Sequence, residues 1–357
     1  MEKALNYIDI FAGCGGLSTG LFNAGWHGLF AVEKNADAFS TLKFNLIDTV
    51  PHFVWPEWLS TEAHDINELI SKNEDNLKAL RGHVTLVAGG PPCQGFSMAG
   101  KRNANDQRNK LVESYIQFIK LVAPQVIIFE NVHGFTVNFK DKKGAKQYST
   151  YVEQALTEEG YQVAHSIIDM SHFGIPQNRK RFILVAMKGH DPKRVFAVLA
   201  ENRAAFCKEK GIMCTTSVRD AISDLEKSCG TVPSPDTKGF NAGIYGAIQS
   251  GYQKLMRQKL STDTRVVNSH RFVNHRADTV KLHEDLLRTA PRGKRITPTD
   301  GIVDNLNRRG VTVLDPNSQS PTITSIPDEL VHYCEPRIIT VREHARIQSF
   351  PDWYEFK

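Results

Sequence analysis

The 357-residue chain has no run of about 18 apolar residues, which argues against a membrane-spanning helix. Its N-terminus lacks the charged and apolar regions of a secretory leader, so a cytoplasmic place is expected. Six cysteines, Cys14, Cys93, Cys207, Cys214, Cys229 and Cys334, stand without a single C-x-x-C spacing. That scatter argues against a structural zinc site and a disulfide framework; reduced thiols and no metal are expected. Charge of one sign is also scarce: the net +5 is compatible with nucleic-acid binding, but many metabolic enzymes carry as much. Apolar content of 41% and charged content of 23% are ordinary for a globular chain, long enough for a large α/β core and a smaller second domain.

The stretch richest in chemistry is Gly89 to Ser97, reading Gly-Gly-Pro-Pro-Cys-Gln-Gly-Phe-Ser. It follows the apolar run Val84 to Ala88, which reads as a buried parallel strand, so the loop leaves the carboxyl edge where open α/β sheets carry their ligands. Gly89 and Gly90 let the backbone bend, and Pro91 and Pro92 stiffen the segment that presents Cys93. A lone cysteine is more often a small buried hydrophobe. These neighbours make a poor core segment and a good presentation loop, so Cys93 reads as a nucleophile.

Around this loop, strands and helices alternate. Tyr7 to Phe11 is a strand, and a glycine turn leads from it into a helix ending near Ala24, a place where backbone N–H groups can meet an anionic group. Leu29 to Val32 is a second strand ending in Glu33, roughly twenty residues after the turn, where doubly wound folds place an acid that accepts from ribose hydroxyls. A helix is expected over Ala36 to Asn45, then an insertion, Pro51 to Ser60, whose Trp55 and Trp58 read as a satellite apolar cluster. Asp65 reads as a helix N-cap. Ala99 to Arg108 is polar and basic, the composition of a mobile lid over a polyanion. A helix over Asn109 to Leu121 stops before Pro124, and the strand Val126 to Phe129 brings Glu130 to the same sheet edge as Cys93. Lys140 to Lys146 reads as a solvated turn, followed by a helix over Tyr148 to Glu159 and a strand over Tyr161 to Ile168. Gln177-x-Arg179-x-Arg181 then runs into the strand Phe182 to Met187, with both arginines on one face of an extended chain.

Alternation ends near Gly189. Between Lys254 and Arg309 thirteen basic residues stand against six acidic ones, a net of +7, interleaved with Asn268, His270, Asn274 and His275. That pattern suits phosphate and base-edge contacts, although a charge run is more often only a solvated face. Near the end, Thr340 reads as an N-cap with Glu343 completing a capping box, and Pro351 ends the helix.

Four of these pieces, in this order, resemble the cytosine-C5 DNA methyltransferases of bacterial restriction-modification systems. Phe11-Ala-Gly-Cys-Gly-Gly-Leu17 resembles the family's S-adenosylmethionine loop, Pro91-Pro-Cys-Gln-Gly-Phe-Ser97 its catalytic loop, Glu130-Asn-Val its catalytic carboxylate motif, and Gln177-x-Arg179-x-Arg181 its base-contacting motif. The resemblance spans residues 7–187 and 320–357. It implies an S-adenosylmethionine-dependent, Rossmann-like doubly wound sheet with a smaller DNA target-recognition domain. Residues 1–188 would be catalytic and cofactor-binding, 189–317 would recognise the target, and 318–357 would return to the catalytic domain.

The resemblance further implies catalytic roles for Cys93, Glu130, Arg179 and Arg181. Cofactor contacts would come from Phe11, Gly13, Cys14, Gly15, Gly16, Leu17, Glu33, Lys34, Asp65, Ile66, Gly89, Pro91 and Leu111. Cys93 would attack C6 of a flipped cytosine while Glu130 supplies a proton or hydrogen bond at N3, so that C5 accepts the methyl group of S-adenosylmethionine. The implied partners are double-stranded DNA and a cognate restriction endonuclease, with no membrane, in the cytoplasm at the nucleoid. The family's closing Gly-Asn-Ala-Val-Pro-Pro-like motif is not found, which carries the expectation of a second polypeptide or a longer reading frame supplying it. Two alternatives stay open: an inactive or split homologue acting as a DNA-binding subunit, and a tRNA cytosine-C5 methyltransferase. A recognition segment of about 130 residues favours duplex DNA, whose base edges need more readout.

Overall fold

The computed structural model describes residues 5–92, 110–136, 139–141, 144–146, 148–303, 306 and 310–357. Cys93, the basic stretch from Ala99 to Arg108, and Arg308 and Arg309 lie outside the described residues. The chain divides into two compact units: residues 1–168 with 180–201 and Lys357, and residues 169–179 with 202–356. Segment 318–357, expected to return to the catalytic domain, is therefore grouped with the second unit except for Lys357.

In the first unit, the strands are β1 (Asn6–Ile10), β2 (His27–Val32), β3 (Leu86–Gly89), β4 (Val126–Val132), a short antiparallel pair β5 (Phe139–Asp141) and β6 (Gly144–Lys146), then β7 (Gln162–Asp169) and β8 (Lys180–Met187). The pair β5–β6 occupies the stretch read as a plain turn. The helices between them are α1 (Gly16–Asn23), α2 (Ala36–Lys43), α3 (Ile66–Lys72), α4 (Glu74–Ala79), α5 (Lys110–Val122) and α6 (Tyr148–Glu158). Six strands form one sheet in the order β2-β1-β3-β4-β8-β7. Strands β1 to β4 pair in parallel, and β8 runs antiparallel to β4, from Val126↔Met187 to Val132↔Arg181. The sheet is thus mixed rather than wound in parallel throughout. Residues 170–179 join β7 to β8 through a single 3-10 turn, too short for the crossover helix that a parallel pair requires.

The apolar strands are buried because helices cover both faces, with Ile8, Val87, Ile127, Phe129 and Leu184 fully enclosed. Helix α5 turns Val112, Tyr115, Ile116, Phe118 and Ile119 inward at helical spacing. Trp55 and Trp58 are not a satellite: both rings pack edge-on against Phe30, with centroids 6.4 and 5.7 Å away, and join the main core. The apolar strand residue beneath them made the insertion part of the sheet's own cover.

Helix α7 (Lys193–Glu209) leads into the second unit, which holds α8 (Val218–Ile222), β9 (Thr231–Pro233), β10 (Asn241–Ile244), α9 (Gly251–Met256), β11 (Val266–Arg271), α10 (Ala277–Thr289), β12 (Arg295–Ile296), β13 (Val311–Val313), β14 (Leu330–Val331) and α11 (Val341–Ile347). Its two three-stranded sheets have the orders β11-β10-β9 and β12-β13-β14. Charges fill part of its interior. Arg346, fully buried, donates from Nε and Nη2 to Asp352 at 2.5 and 2.6 Å and from Nη1 and Nη2 to Asp224 at 3.1 and 3.2 Å. Arg337 makes a bidentate pair with Glu343, both bonds 2.7 Å, and a third bond to Glu335 at 2.6 Å. Burial this complete is tolerated because nearly every charged atom has an opposite partner.

These interior pairs correct the reading of the basic segment. Arg257 is bound to buried Asp224, and His270 is fully buried, its ring bonded to Thr340 Oγ1 and Leu225 O, each at 2.7 Å. Neither is presented for phosphate contact. Asn268 likewise serves Arg342, accepting at its backbone O at 3.0 Å and its Oδ1 at 3.2 Å.

Candidate active site

The turn after β1 is built from unusual backbone. Phe11 has φ +61°, Gly13 +56° and Gly15 +83°, and Gly15 caps α1 in the left-handed region. Glycine takes these angles without penalty, whereas Phe11 is strained and must be held by its surroundings. The turn beyond Phe11 is tied down by Glu33, which follows β2. Its Oε2 accepts from Gly13 N at 2.9 Å and its Oε1 from Asn35 N at 2.7 Å, tying two loops of the carboxyl edge together.

Lys34 reaches from the same corner to Asp65, Nζ to Oδ2 2.9 Å, while Asp65 Oδ1 caps α3 through Asn67 N at 2.8 Å. The N-cap reading of Asp65 therefore holds alongside an ion pair. Partial burial works to raise this carboxyl, but the Lys34 ammonium and the Asn67 and Glu68 backbone N–H groups outweigh it and hold it below the usual carboxylate range. Beneath the turn lies Asp9, buried in β1, whose Oδ2 accepts from Ser18 Oγ at 2.6 Å. Its Oδ1 has no hydrogen-bond partner among the described residues, and burial pushes the carboxyl up to about 7.

A cavity of about 250 Å³ opens at this edge, lined by Phe11, Val32, Glu33, Lys34, His64, Asp65, Ile66, Gly90, Pro92 and Leu111. Six residues singled out in the sequence line it: Phe11, Glu33, Lys34, Asp65, Ile66 and Leu111. Gly13 is one hydrogen bond away through Glu33, while Cys14, Gly15, Gly16, Leu17, Gly89 and Pro91 are not among its walls. Gly90 and Pro92 were read from the sequence as parts of the loop and not as cavity walls, and Val32 and His64 were not anticipated.

Glu130 lies within β4 rather than after it, since the strand runs on to Val132. Its Oε1 pairs with Arg181 Nε at 2.7 Å; the Arg181 side chain is 12% exposed against 36% for Glu130. The antiparallel β8 makes this meeting possible by setting Arg181 opposite Val132. Gly90 packs so close that a Cβ there would lie 2.8 Å from both Glu130 O and Glu130 Oε2. Asn131, buried next door, donates from Nδ2 to Pro91 O at 3.3 Å. The strand carrying the carboxylate thus grips the root of the loop that leads to Cys93. Asn131 is a positioning residue that sequence reasoning passed over.

Arg179 falls in the second unit, where its carbonyl accepts from Met170 N at 2.9 Å. There Gln177 is fully buried, and Asn178 N donates to Ser320 O at 2.8 Å, so this segment is laced to Ser320-Pro321-Thr322. The Gln-x-Arg-x-Arg run is therefore shared between the units, and Arg181 is the member that meets Glu130. The described cysteines, Cys14, Cys207, Cys214, Cys229 and Cys334, are all thiols.

A sheet with a glycine turn after its first strand, an acid closing its second and a carboxylate–guanidinium pair at the carboxyl end of its fourth defines a Rossmann-like methyltransferase. The chain belongs to the C-5 cytosine-specific DNA methylase family, whose model matches residues 5–357, and is an enzyme of that class. Among relatives, the type II methyltransferase M.DdeI of Desulfomicrobium norvegicum is 29% identical over 374 residues, covering 99% of this chain and 80% of the relative. The type II methyltransferase M1.HphI of Haemophilus parahaemolyticus is 29% identical over 360 residues, covering 99% of this chain and 79% of its own. In fold, the chain resembles a prophage-encoded E. coli protein described as a DNA modification methyltransferase, with a TM-score of 0.67 at 24% identity, covering 99% of this chain and 90% of the other.

Proposed function

We propose that this enzyme transfers a methyl group from S-adenosylmethionine to C5 of a flipped cytosine in a particular duplex DNA sequence, as the modification partner of a restriction endonuclease acting on the same DNA. The observation that carries the reading is the Glu130–Arg181 pair set against Gly90, two residues from Pro92 and the loop of Cys93.

The cavity fits the donor. Its volume of about 250 Å³ lies at the small end of ligand pockets, suiting a nucleoside rather than a dinucleotide. Phe11, Val32, Ile66 and Leu111 offer apolar walls to a purine, Asp65 an acceptor for its amino group, and Glu33 acceptors for ribose hydroxyls. Backbone N–H groups of Cys14, Gly16 and Leu17 would face the carboxylate end, those of Gly13 and Gly15 being bonded to Glu33 and Ala12. When bound, S-adenosylmethionine supplies a sulfonium-activated methyl group.

The protein must make C5 nucleophilic. Cys93, as thiolate, adds to C6 while Glu130 supplies a proton or hydrogen bond at N3, so that electron density gathers at C5. Arg181 holds Glu130 by one carboxylate oxygen, which leaves Oε2 to face the base. After methylation a base removes the C5 proton and Cys93 departs by elimination. Residues 189–317 are assigned to target recognition, and the nucleoid is the place of action.

Tritium transfer from labelled S-adenosylmethionine tests the reading. Label is expected in duplex DNA as 5-methylcytosine, absent with Cys93→Ala, and absent from tRNA. Label in tRNA alone would overturn the choice of substrate, and no label with either, from a folded chain that binds DNA, would overturn the activity.

A further inference from the structure

We propose that Arg271 reads a guanine of the recognised sequence, held in its reading pose by Thr237 and by the ring of Phe240. This rests on the reading of duplex DNA as substrate.

Several basic side chains of the +7 segment have other work. Arg257 and Arg288 pair with Asp224 and Asp285, and Arg292 donates to Tyr333 O and Leu287 O at 2.8 and 2.9 Å. Arg271 differs. It is exposed at the end of β11, and among the described residues no carboxylate lies within ion-pair reach of it. Yet it is held in place: Nη1 donates to Thr237 Oγ1 at 3.0 Å, and the guanidinium carbon sits 5.1 Å from the centroid of Phe240.

The hold is itself supported. Thr237 Oγ1 donates to Asp236 Oδ1 at 3.1 Å, and the same oxygen accepts from Ser234 Oγ at 2.6 Å. A hydrogen bond from the Ser269 backbone also reaches Asp236. The hairpin loop between β9 and β10 is thereby pinned to β11. Ser269 has φ +56°, and the register slips between Ala242↔Arg271 and Ile244↔Val266, so β11 is bulged immediately before Arg271. Such strain persists only where neighbours over-determine it, and bulges serve to re-aim a side chain.

A hydroxyl and a ring face orient the guanidinium without neutralising it, leaving N–H donors in a fixed plane. A phosphate can accept the same fork through two oxygens, and the salt dependence in the test separates that contact from a base contact. The paired acceptors O6 and N7 on the major-groove edge of guanine match a planar fork held in one orientation.

The test is methylation of a plasmid library carrying randomised sites, read as 5-methylcytosine at base resolution, by the full chain and by Arg271→Ala, Arg271→Lys and Thr237→Val. Wild type is expected to require guanine at one position. Arg271→Ala and Arg271→Lys should relax that position alone by about tenfold to a hundredfold, and Thr237→Val should relax the same position less. An unchanged sequence preference would overturn the proposal. So would a uniform fall across all sites with the salt dependence of binding reduced by about one unit of slope, the mark of a phosphate contact. If wild type leaves no 5-methylcytosine, the activity reading has failed, and selection of bound duplexes from the same library decides: a guanine preference lost in Arg271→Ala supports the role, and no preference overturns it.

Discussion

A methyl group on residue 90 would collide with the backbone oxygen of Glu130, which cannot move away, and with Oε2, which can move only by leaving its place. Gly90→Ala is therefore expected to lower turnover by about ten- to a hundredfold while leaving cofactor affinity less affected, read as a split between kcat and the KM for S-adenosylmethionine. Arg181→Ala removes an ion pair that orients the carboxylate. Its turnover should fall by about a hundredfold or more, with Arg181→Lys recovering only part because the fixed fork is lost. At this scale the sequence was readable where a residue type announces its chemistry: Glu130 and Arg181 were placed from their strands and motifs. Gly90 and Asn131 were not, because what matters about them is which atom of a distant strand they touch. The same limit misplaced Arg257 and His270, whose charge and polarity are visible in the sequence while their buried partners, Asp224 and Thr340, are not.

Among the elements, α11 depends on its first residue. Thr340 Oγ1 accepts from Glu343 N at 3.2 Å and bonds His270 Nδ1 at 2.7 Å, and Glu343 Oε2 returns a bond from Thr340 N at 2.7 Å. Thr340→Ala removes a cap and strands a buried ring nitrogen, so a loss of about 2–3 kcal/mol is expected in urea unfolding, with Thr340→Ser restoring most of it. This helix and its capping box were legible because the signal is local, lying within four residues. The βα alternation up to Met187 was legible for a similar reason, through apolar runs of strand length and helical spacing. The direction of β8 was not, since a buried strand reads alike whether it runs with or against its neighbour; only the ten-residue link before it carried a hint. Trp55 and Trp58 were misjudged because aromatic residues in an insertion show nothing of the Phe30 ring they cover.

Over the whole molecule the two units should answer pH in opposite senses. In the second, burial holds His270 at about 4 and His332 at about 3, against the pull of Glu343 and with the push of Arg337. Because these values lie below the unfolded 6.5, the stability they contribute is present above that pH and lost as pH falls toward 4, by several kcal/mol together. Glu343, held well below 4.5 despite burial by its Arg337 partner, adds a further loss in stronger acid. In the first unit Asp9, raised from 3.8 to about 7, contributes stability below pH 3.8 that is lost as pH rises through 7, on the order of 4 kcal/mol. Urea unfolding between pH 4 and 8 is expected to show Asp9→Asn removing the loss that accumulates between about pH 4 and 7, while leaving the histidine-dependent gain over the same range. The buried arginine of α11 has a consequence for synthesis. Asp224 is made more than a hundred residues before Arg346, the cation that completes its burial, so a ribosome must pass Arg346 before the second unit can close. Until then the nascent protein carries an interior carboxylate lacking its full complement of charge, and chaperone demand should persist until Arg346 has emerged.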